Sequence, residues 1–288
     1  MKTRFISFHH DGQDRYGAVV KDDQVVDLTS HFGTRAPDLK SLIAAGLLKE
    51  AHLVAAANTT QGALLPLTGI RLLPVIPNPG KIVCVGLNYH EHVQETQRKV
   101  TDVPTLFLRI AESQVGHDEK IQRPAESTKL DYEGEIAVVI GKAGRRIQET
   151  EAWNHIAGYS CYNDGTIRDW QSATSQWTAG KNFWRTGAFG PWMVPRGDIV
   201  DGQRMTLVTR LNGQEVQRAT TDMLIHSIPR QIAYVSTFTP LSPGDVIVTG
   251  TPGGVGARRN PPLWMKPGDV VEVDVDAIGV LRNGIGIE

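Results

Sequence analysis

The sequence predicts a mixed α+β fold, rich in β structure and mainly antiparallel, led by a small N-terminal α/β unit. Three observations carry this expectation. Short strand-like runs alternate with Asp-Gly, Asn-Gly and Pro-Gly turns along most of the chain. Helical periodicity is confined to a few short stretches. The regular strand–helix–strand alternation of a doubly wound sheet or a TIM barrel is absent. A chain of 288 residues suits about two domains. We place the small unit at residues 1–72 and the larger one at 73–288.

In the leading unit, RFISFHH, RYGAVV and QVVDLT read as strands. Leu39, Leu42, Ile43, Leu47 and Leu48 recur at helical spacing and predict a helix near 37–50. His9 and His10, adjacent on a strand, point to opposite faces and read as surface or structural residues. The proline-rich stretch 72–81 is the linker candidate. Beyond it, Asn212-Gly213 between two strand-like runs predicts a tight hairpin. SPGDVIVTG and KPGDVVEVDV are two similar turn-then-strand units. Helices are expected after Asn88, from about Asp164, and from Ser227. Ser227 can cap the last, with Pro229 in its first turn and Ile228, Ile232 and Val235 as its buried stripe.

Composition narrows the function. Thirty Lys and Arg against 31 Asp and Glu leave a net charge of −1, so no nucleic-acid or anionic-membrane partner is expected. Cys84 and Cys161 lie in apolar runs and read as buried thiols in a reducing compartment. The N-terminus lacks the apolar core of a signal peptide, and no apolar run is long enough to span a membrane. A cytoplasmic protein is expected.

The strongest chemical signal is LDYEGEIAVVIGK. Ile136 to Ile140 reads as a buried strand, with Glu133 and Glu135 at its mouth. Two residues apart on a strand, both carboxylates face the same way, and like charges that close call for a cation. In YNDGTIRDWQ, Asp164 can complete an all-oxygen site. Arg168 and Gln171 share a helical face with it if a helix starts there. Such ligands favour Mg²⁺, then Mn²⁺ or Ca²⁺, over Zn²⁺. His92 and Glu95, three apart on the helix after Asn88, can pair, giving a general base with a fixed tautomer. The loop GTPGGVG lacks the ending of a phosphate-binding loop and better suits close backbone approach to a small ligand.

Five ordered motifs, VGLNYHEHVQE, LDYEGEIAVVIGK, YNDGTIRDWQ, GKNF and VIVTGTPGGVG, resemble the fumarylacetoacetate hydrolase superfamily. Within it, the chain looks like a bacterial acylpyruvate or 2,4-dioxo acid hydrolase. The resemblance implies a mixed β-sandwich roll, a homodimer, and Mg²⁺ or Mn²⁺ on Glu133, Glu135 and Asp164. It implies His92 and Glu95 as a catalytic dyad, with Lys181 as a cationic catalytic group. Arg168, Gln171 and Thr251 are implied to bind the substrate, a small 2-oxo or 2,4-dioxo acid. Arg109 stands where a Lys is common and is expected to change the charge of the pocket mouth. The aromatic stretch FWRTGAFGPW is open to two uses, a pocket for a substrate tail or packing. The reaction expected is hydrolysis of a C–C bond to pyruvate and a carboxylic acid. The alternative is decarboxylation or isomerisation of 2-oxo or 2-hydroxy-dienoic diacids of aromatic catabolism, or decarboxylation of oxaloacetate.

Overall fold

The computed structural model describes residues 3–58 and 64–288. Two extended sheets form its frame. The larger runs from Leu65–Pro66 through Gln24–Asp27, Gln13–Val19 and Arg4–His10 to Gly187–Pro195. It continues through Ile156–Asn163, Gly134–Ile140, Val246–Val248 and Ile82–Gly86 to Thr105–Arg109. The second runs Gln214–Thr220, Thr206–Leu211, Val270–Val275, Gly279–Ile287 and Ile121–Arg123. Most pairings are antiparallel, as expected; Val246–Val248 with Ile82–Gly86 is a parallel exception.

Period-two burial explains why the central strand is apolar throughout. Ile136, Val138 and Ile140 enter the core shared with the second sheet. Ala137 and Val139 enter the core beneath the N-terminal unit. Asn212 and Gly213, at φ 51° and 79°, make the predicted hairpin turn, because a primed turn needs positive φ at both central positions. The helix Ile228–Phe238 starts as predicted, with Ser227 accepting from the Arg230 N–H.

Three expectations change. The helix near 37–50 is two helices, Leu39–Ala44 and Leu48–Ala57. Gly46, at φ 71°, takes the left-handed conformation that ends the first one. No helix starts at Asp164: Thr166–Ile167 first pairs as a strand with Leu130–Asp131, and the helix is Arg168–Gln171. The stretch 72–81 is not a free linker, since Val75 and Ile76 are buried and Ser7 Oγ donates to the Val75 carbonyl. The sheet itself crosses from the leading unit, Phe5 pairing with Met193, and the two share a core. No helix among the described residues is long and apolar enough to cross a membrane.

Candidate active site and metal centre

The topology brings the ends of four adjacent strands of the large sheet together at the site. Gly134–Ile140 begins there, and its antiparallel neighbour Ile156–Asn163 ends there, placing Asp164 beside Glu133. The Asp164 N–H donates to the Glu133 carbonyl at 2.8 Å. On the other side, Val246–Val248 delivers the loop from Gly250, and Ile82–Gly86 delivers the turn into the helix His90–Glu95. Gly134 lets the acidic strand pass close to the second sheet, because a Cβ there would lie 2.0 Å from Thr209 Oγ1.

Glu133, Glu135 and Asp164 are buried, with ligand oxygens all within 4.8 Å of one another. Lys181 Nζ bridges Glu133 Oε2 at 2.7 Å and Asp164 Oδ2 at 2.6 Å. Arg168 lies 2.6 Å from Glu133 Oε1 and donates to Asp131 Oδ2 at 2.8 Å. Arg109 donates to Asp164 Oδ1 at 2.5 Å. Four buried carboxylates (the triad and Asp131) thus face the buried Arg109 and Lys181 and the half-buried Arg168. Burial raises both glutamates. For Glu133, Arg168 and Lys181 outweigh it and bring the carboxyl down to about 2. Glu135 is driven well above the carboxylate range by burial and by Asp164 and Glu133 beside it. A divalent cation among these oxygens would relieve that repulsion, so the donor set fits a hard ion such as Mg²⁺, Mn²⁺ or Ca²⁺.

His92 Nδ1 pairs with Glu95 Oε1 at 2.7 Å. Glu95 Oε2 accepts from the Gly254 N–H at 2.9 Å, tying the dyad to the glycine-rich loop. That arrangement leaves Nε2 as the imidazole nitrogen for proton transfer. The N-terminal end of this helix is pinned by Asn88, which accepts from the His226 N–H and donates to the Thr249 carbonyl, both at 2.7 Å.

A cavity of about 550 Å³ opens over these groups. Its lining takes in every residue expected at the site except Glu95 and Asp164, which sit behind His92 and Lys181. Gln171 accepts from Arg168 at 2.9 Å. Thr251 donates to the Gly134 carbonyl at 3.0 Å and accepts from Gln217 at 2.8 Å.

Arg109 is a correction. It is fully buried behind Asp164, held also by the Gly165 carbonyl and Thr186, and does not reach the pocket mouth. The stretch FWRTGAFGPW contributes packing: Phe189 is buried, Trp184 is exposed, and none of its aromatics lines the cavity. The aromatic wall comes instead from Phe107 and Trp177. Sequence reasoning also passed over Asp131, whose carboxylate accepts the Gly256 and Ala257 N–H groups at 2.8 and 2.9 Å. Its signal was present, since Asp131, Glu133 and Glu135 alternate along one segment. Gln217 and Asn88 carried no such pattern.

A family profile described as "Fumarylacetoacetate (FAA) hydrolase C-terminal" matches residues 81–286. The mitochondrial oxaloacetate tautomerase of Xenopus laevis is 40% identical over 224 residues, covering 77% of this chain and 70% of that protein. Among solved structures, a fumarylacetoacetate hydrolase from psychrophilic Exiguobacterium antarcticum superimposes with a TM-score of 0.87 at 31% identity, covering 99% and 100% of the two chains. The maleylpyruvate hydrolase of Sphingobium sp. SYK-6, solved with manganese(II) and pyruvate, gives 0.81 at 26% identity over 99% of each chain. The family profile alone spans most of the chain, and with a buried acidic triad at the predicted positions the conclusion is direct: the chain belongs to the fumarylacetoacetate hydrolase family of enzymes.

Proposed function

We propose that the chain is a divalent-metal-dependent hydrolase that cleaves a C–C bond of a small 2,4-dioxo acid of the acylpyruvate type. The products are pyruvate and a carboxylic acid. One observation carries this reading: His92, paired with Glu95, lines the same cavity as Glu133 and Glu135 of the acidic triad. The cation, Mg²⁺ or Mn²⁺ and less readily Ca²⁺, held by Glu133, Glu135 and Asp164, supplies Lewis-acid chemistry when bound. His92 Nε2 takes a proton from the attacking water, while Glu95 holds the tautomer. Lys181 Nζ provides positive charge for the oxyanion that forms. Arg168, Gln171 and the Thr251 hydroxyl orient the substrate carboxylate. The manganese and pyruvate bound in the Sphingobium maleylpyruvate hydrolase structure support the reading.

A second reading has its own support. The Xenopus relative is named an oxaloacetate tautomerase, and a proton shuttle at His92 serves keto–enol exchange without any attack by water. The separating experiment is an assay of an acylpyruvate and of oxaloacetate with Mg²⁺ or Mn²⁺, with products identified by mass spectrometry and enol followed by absorbance. Pyruvate from the acylpyruvate supports hydrolysis. Enol exchange of oxaloacetate with no cleavage of either acid supports the second reading. A cytoplasmic homodimer completes the proposal, and a monomer mass by light scattering at micromolar concentration would refute the dimer.

A further inference from the structure

Gln217 belongs to none of the motifs, yet it ties the acidic strand and the glycine-rich loop to the second sheet. It lies on Gln214–Thr220 and is buried. Its Oε1 accepts the Gly134 N–H at 3.0 Å. Its Nε2 donates to the Thr251 hydroxyl at 2.8 Å and to the Pro252 carbonyl at 2.9 Å. A peptide N–H only donates and a proline carbonyl only accepts, so Gly134 and Pro252 fix which way round the amide sits. Both Nε2 hydrogens are then engaged, and the Thr251 oxygen is an acceptor towards Gln217. The Thr251 proton goes instead to the Gly134 carbonyl, at 3.0 Å. Between them, Gln217 and Thr251 hold both peptide groups that join Glu133 to Glu135. The loop that carries Thr251 also reaches Glu135 through the Gly250 N–H and Glu95 through the Gly254 N–H. Thr251 lines the cavity and Gln217 does not.

A hydroxyl can turn its proton while its oxygen stays in place. We propose that Gln217 is a positioning residue for ligand binding, acting through Thr251. Its amide anchors the Thr251 oxygen and presents no acceptor to it. The proton is thereby free to turn from the Gly134 carbonyl to the carboxylate of a 2-oxo acid in the cavity. An acceptor in place of Nε2 would capture that proton. An apolar side chain would leave the oxygen unanchored and the Gly134 N–H without its partner. This rests on the proposed 2-oxo acid chemistry and adds the residue that sets the polarity of its carboxylate contact.

A double-mutant cycle on pyruvate binding to the Mn²⁺-loaded protein, read by calorimetry, tests it. Thr251→Val removes the hydroxyl and keeps the shape. Gln217→Glu keeps the size and the acceptor towards Gly134 but replaces the donor, and Gln217→Met removes both. Each single variant should weaken pyruvate binding about tenfold, the scale of one hydrogen bond to a charged acceptor, with Mn²⁺ affinity held within a few-fold. Added to Thr251→Val, either Gln217 variant should cost less than about twofold more, because the group it acts through is already gone. A residue that only braced the fold would weaken Mn²⁺ and pyruvate together, and its effect would add to that of Thr251→Val. Additive losses, wild-type pyruvate affinity in Thr251→Val or in both Gln217 variants, or loss of Mn²⁺ binding by both Gln217 variants overturns the positioning role and leaves the 2-oxo acid reading standing. Failure of pyruvate to bind the Mn²⁺-loaded wild type overturns that reading and this proposal together.

Discussion

Asp131 holds two parts of the site in register, and replacing it should cost far more than a surface carboxylate would. Its side chain is fully buried. One oxygen accepts the Gly256 N–H, and the other accepts the Ala257 N–H and Arg168 Nε, at 2.8 to 2.9 Å. Asp131→Ala leaves the half-buried Arg168 guanidinium without one of its two carboxylate partners and strands three backbone donors, those of Tyr132, Gly256 and Ala257. Breaking one side of a buried charge pair costs about 3–5 kcal/mol, and each unmade buried hydrogen bond about 1–3. Because Arg168 keeps Glu133 at 2.6 Å, the lower end, about 3 kcal/mol, is expected. Asp131→Asn keeps the shape and one acceptor oxygen, and should lose about half as much. Denaturant unfolding with a common slope measures both. A loss below about 1 kcal/mol for Asp131→Ala would refute the claim that this carboxylate braces the loop and Arg168. Mn²⁺ affinity offers a second readout, since the triad residues themselves are untouched and should bind within a few-fold of the wild type.

Other outcomes follow from the same geometry. Glu135 has its carboxyl raised well above its ordinary value by burial and then by its acidic neighbours. Mn²⁺ binding, which needs the carboxylate, should therefore release protons and tighten as pH rises, which calorimetry in buffers of different ionisation enthalpy reads out; a pH-independent affinity would contradict this. Glu133 acts with the opposite sign: its folded value of about 2 lies below the unfolded one, so the stability it adds is present above about pH 4.3 and lost as pH falls towards 2. Acid unfolding of wild type and Glu133→Gln should diverge above that window and converge within it. His92→Ala should lower kcat for hydrolysis by about 10²–10⁴ with Mn²⁺ binding retained, and Glu95→Gln should lower it less; wild-type turnover by His92→Ala would end the general-base assignment. Gly134→Ala drives a Cβ to 2.0 Å from Thr209 Oγ1 and should destabilise by about 1–3 kcal/mol in denaturant unfolding.

Local rules made much of the fold legible. A buried strand reads as an apolar run, so Ile136–Ile140 was visible as one, within the observed strand Gly134–Ile140, and Asn-Gly fixed a hairpin by backbone conformation alone. Pairing between distant segments was not legible. Nothing in MKTRFISFHH states that Phe5 pairs with Met193, so two units separated by prolines read as independent where the sheet is continuous. The periodicity from Leu39 to Leu48 also misled. It persists across Gly46 because both short helices pack on the same core, while the left-handed glycine breaks the backbone between them.

The site divides along the same line. Residues that meet through local spacing were found: Glu133 with Glu135, and His92 with Glu95. Arg168 and Gln171 do pair, although Asp164 lies upstream of their helix and reaches the cluster through the sheet edge. What spacing cannot reveal is charge balance. Arg109 read as a mouth residue because a strand position does not disclose which carboxylate it will face, and folding sets it behind Asp164. With Lys181 on the opposite oxygen, Asp164 is bonded to a cation on each side. Among the described residues, Glu135 has only the Gly250 N–H, at 2.5 Å, as a hydrogen-bond donor, and it is the carboxylate left in electrostatic deficit. That asymmetry, invisible in E-x-E, argues that Glu135 gains most from a cation. Glu135→Gln should therefore weaken Mn²⁺ binding and flatten its pH dependence, while sparing the metal-free protein a carboxyl buried among acidic neighbours. Apo stability that rises, or holds, as Mn²⁺ affinity falls is the expected pair of results. A variant that loses both together would show that Glu135 supports the fold rather than the metal.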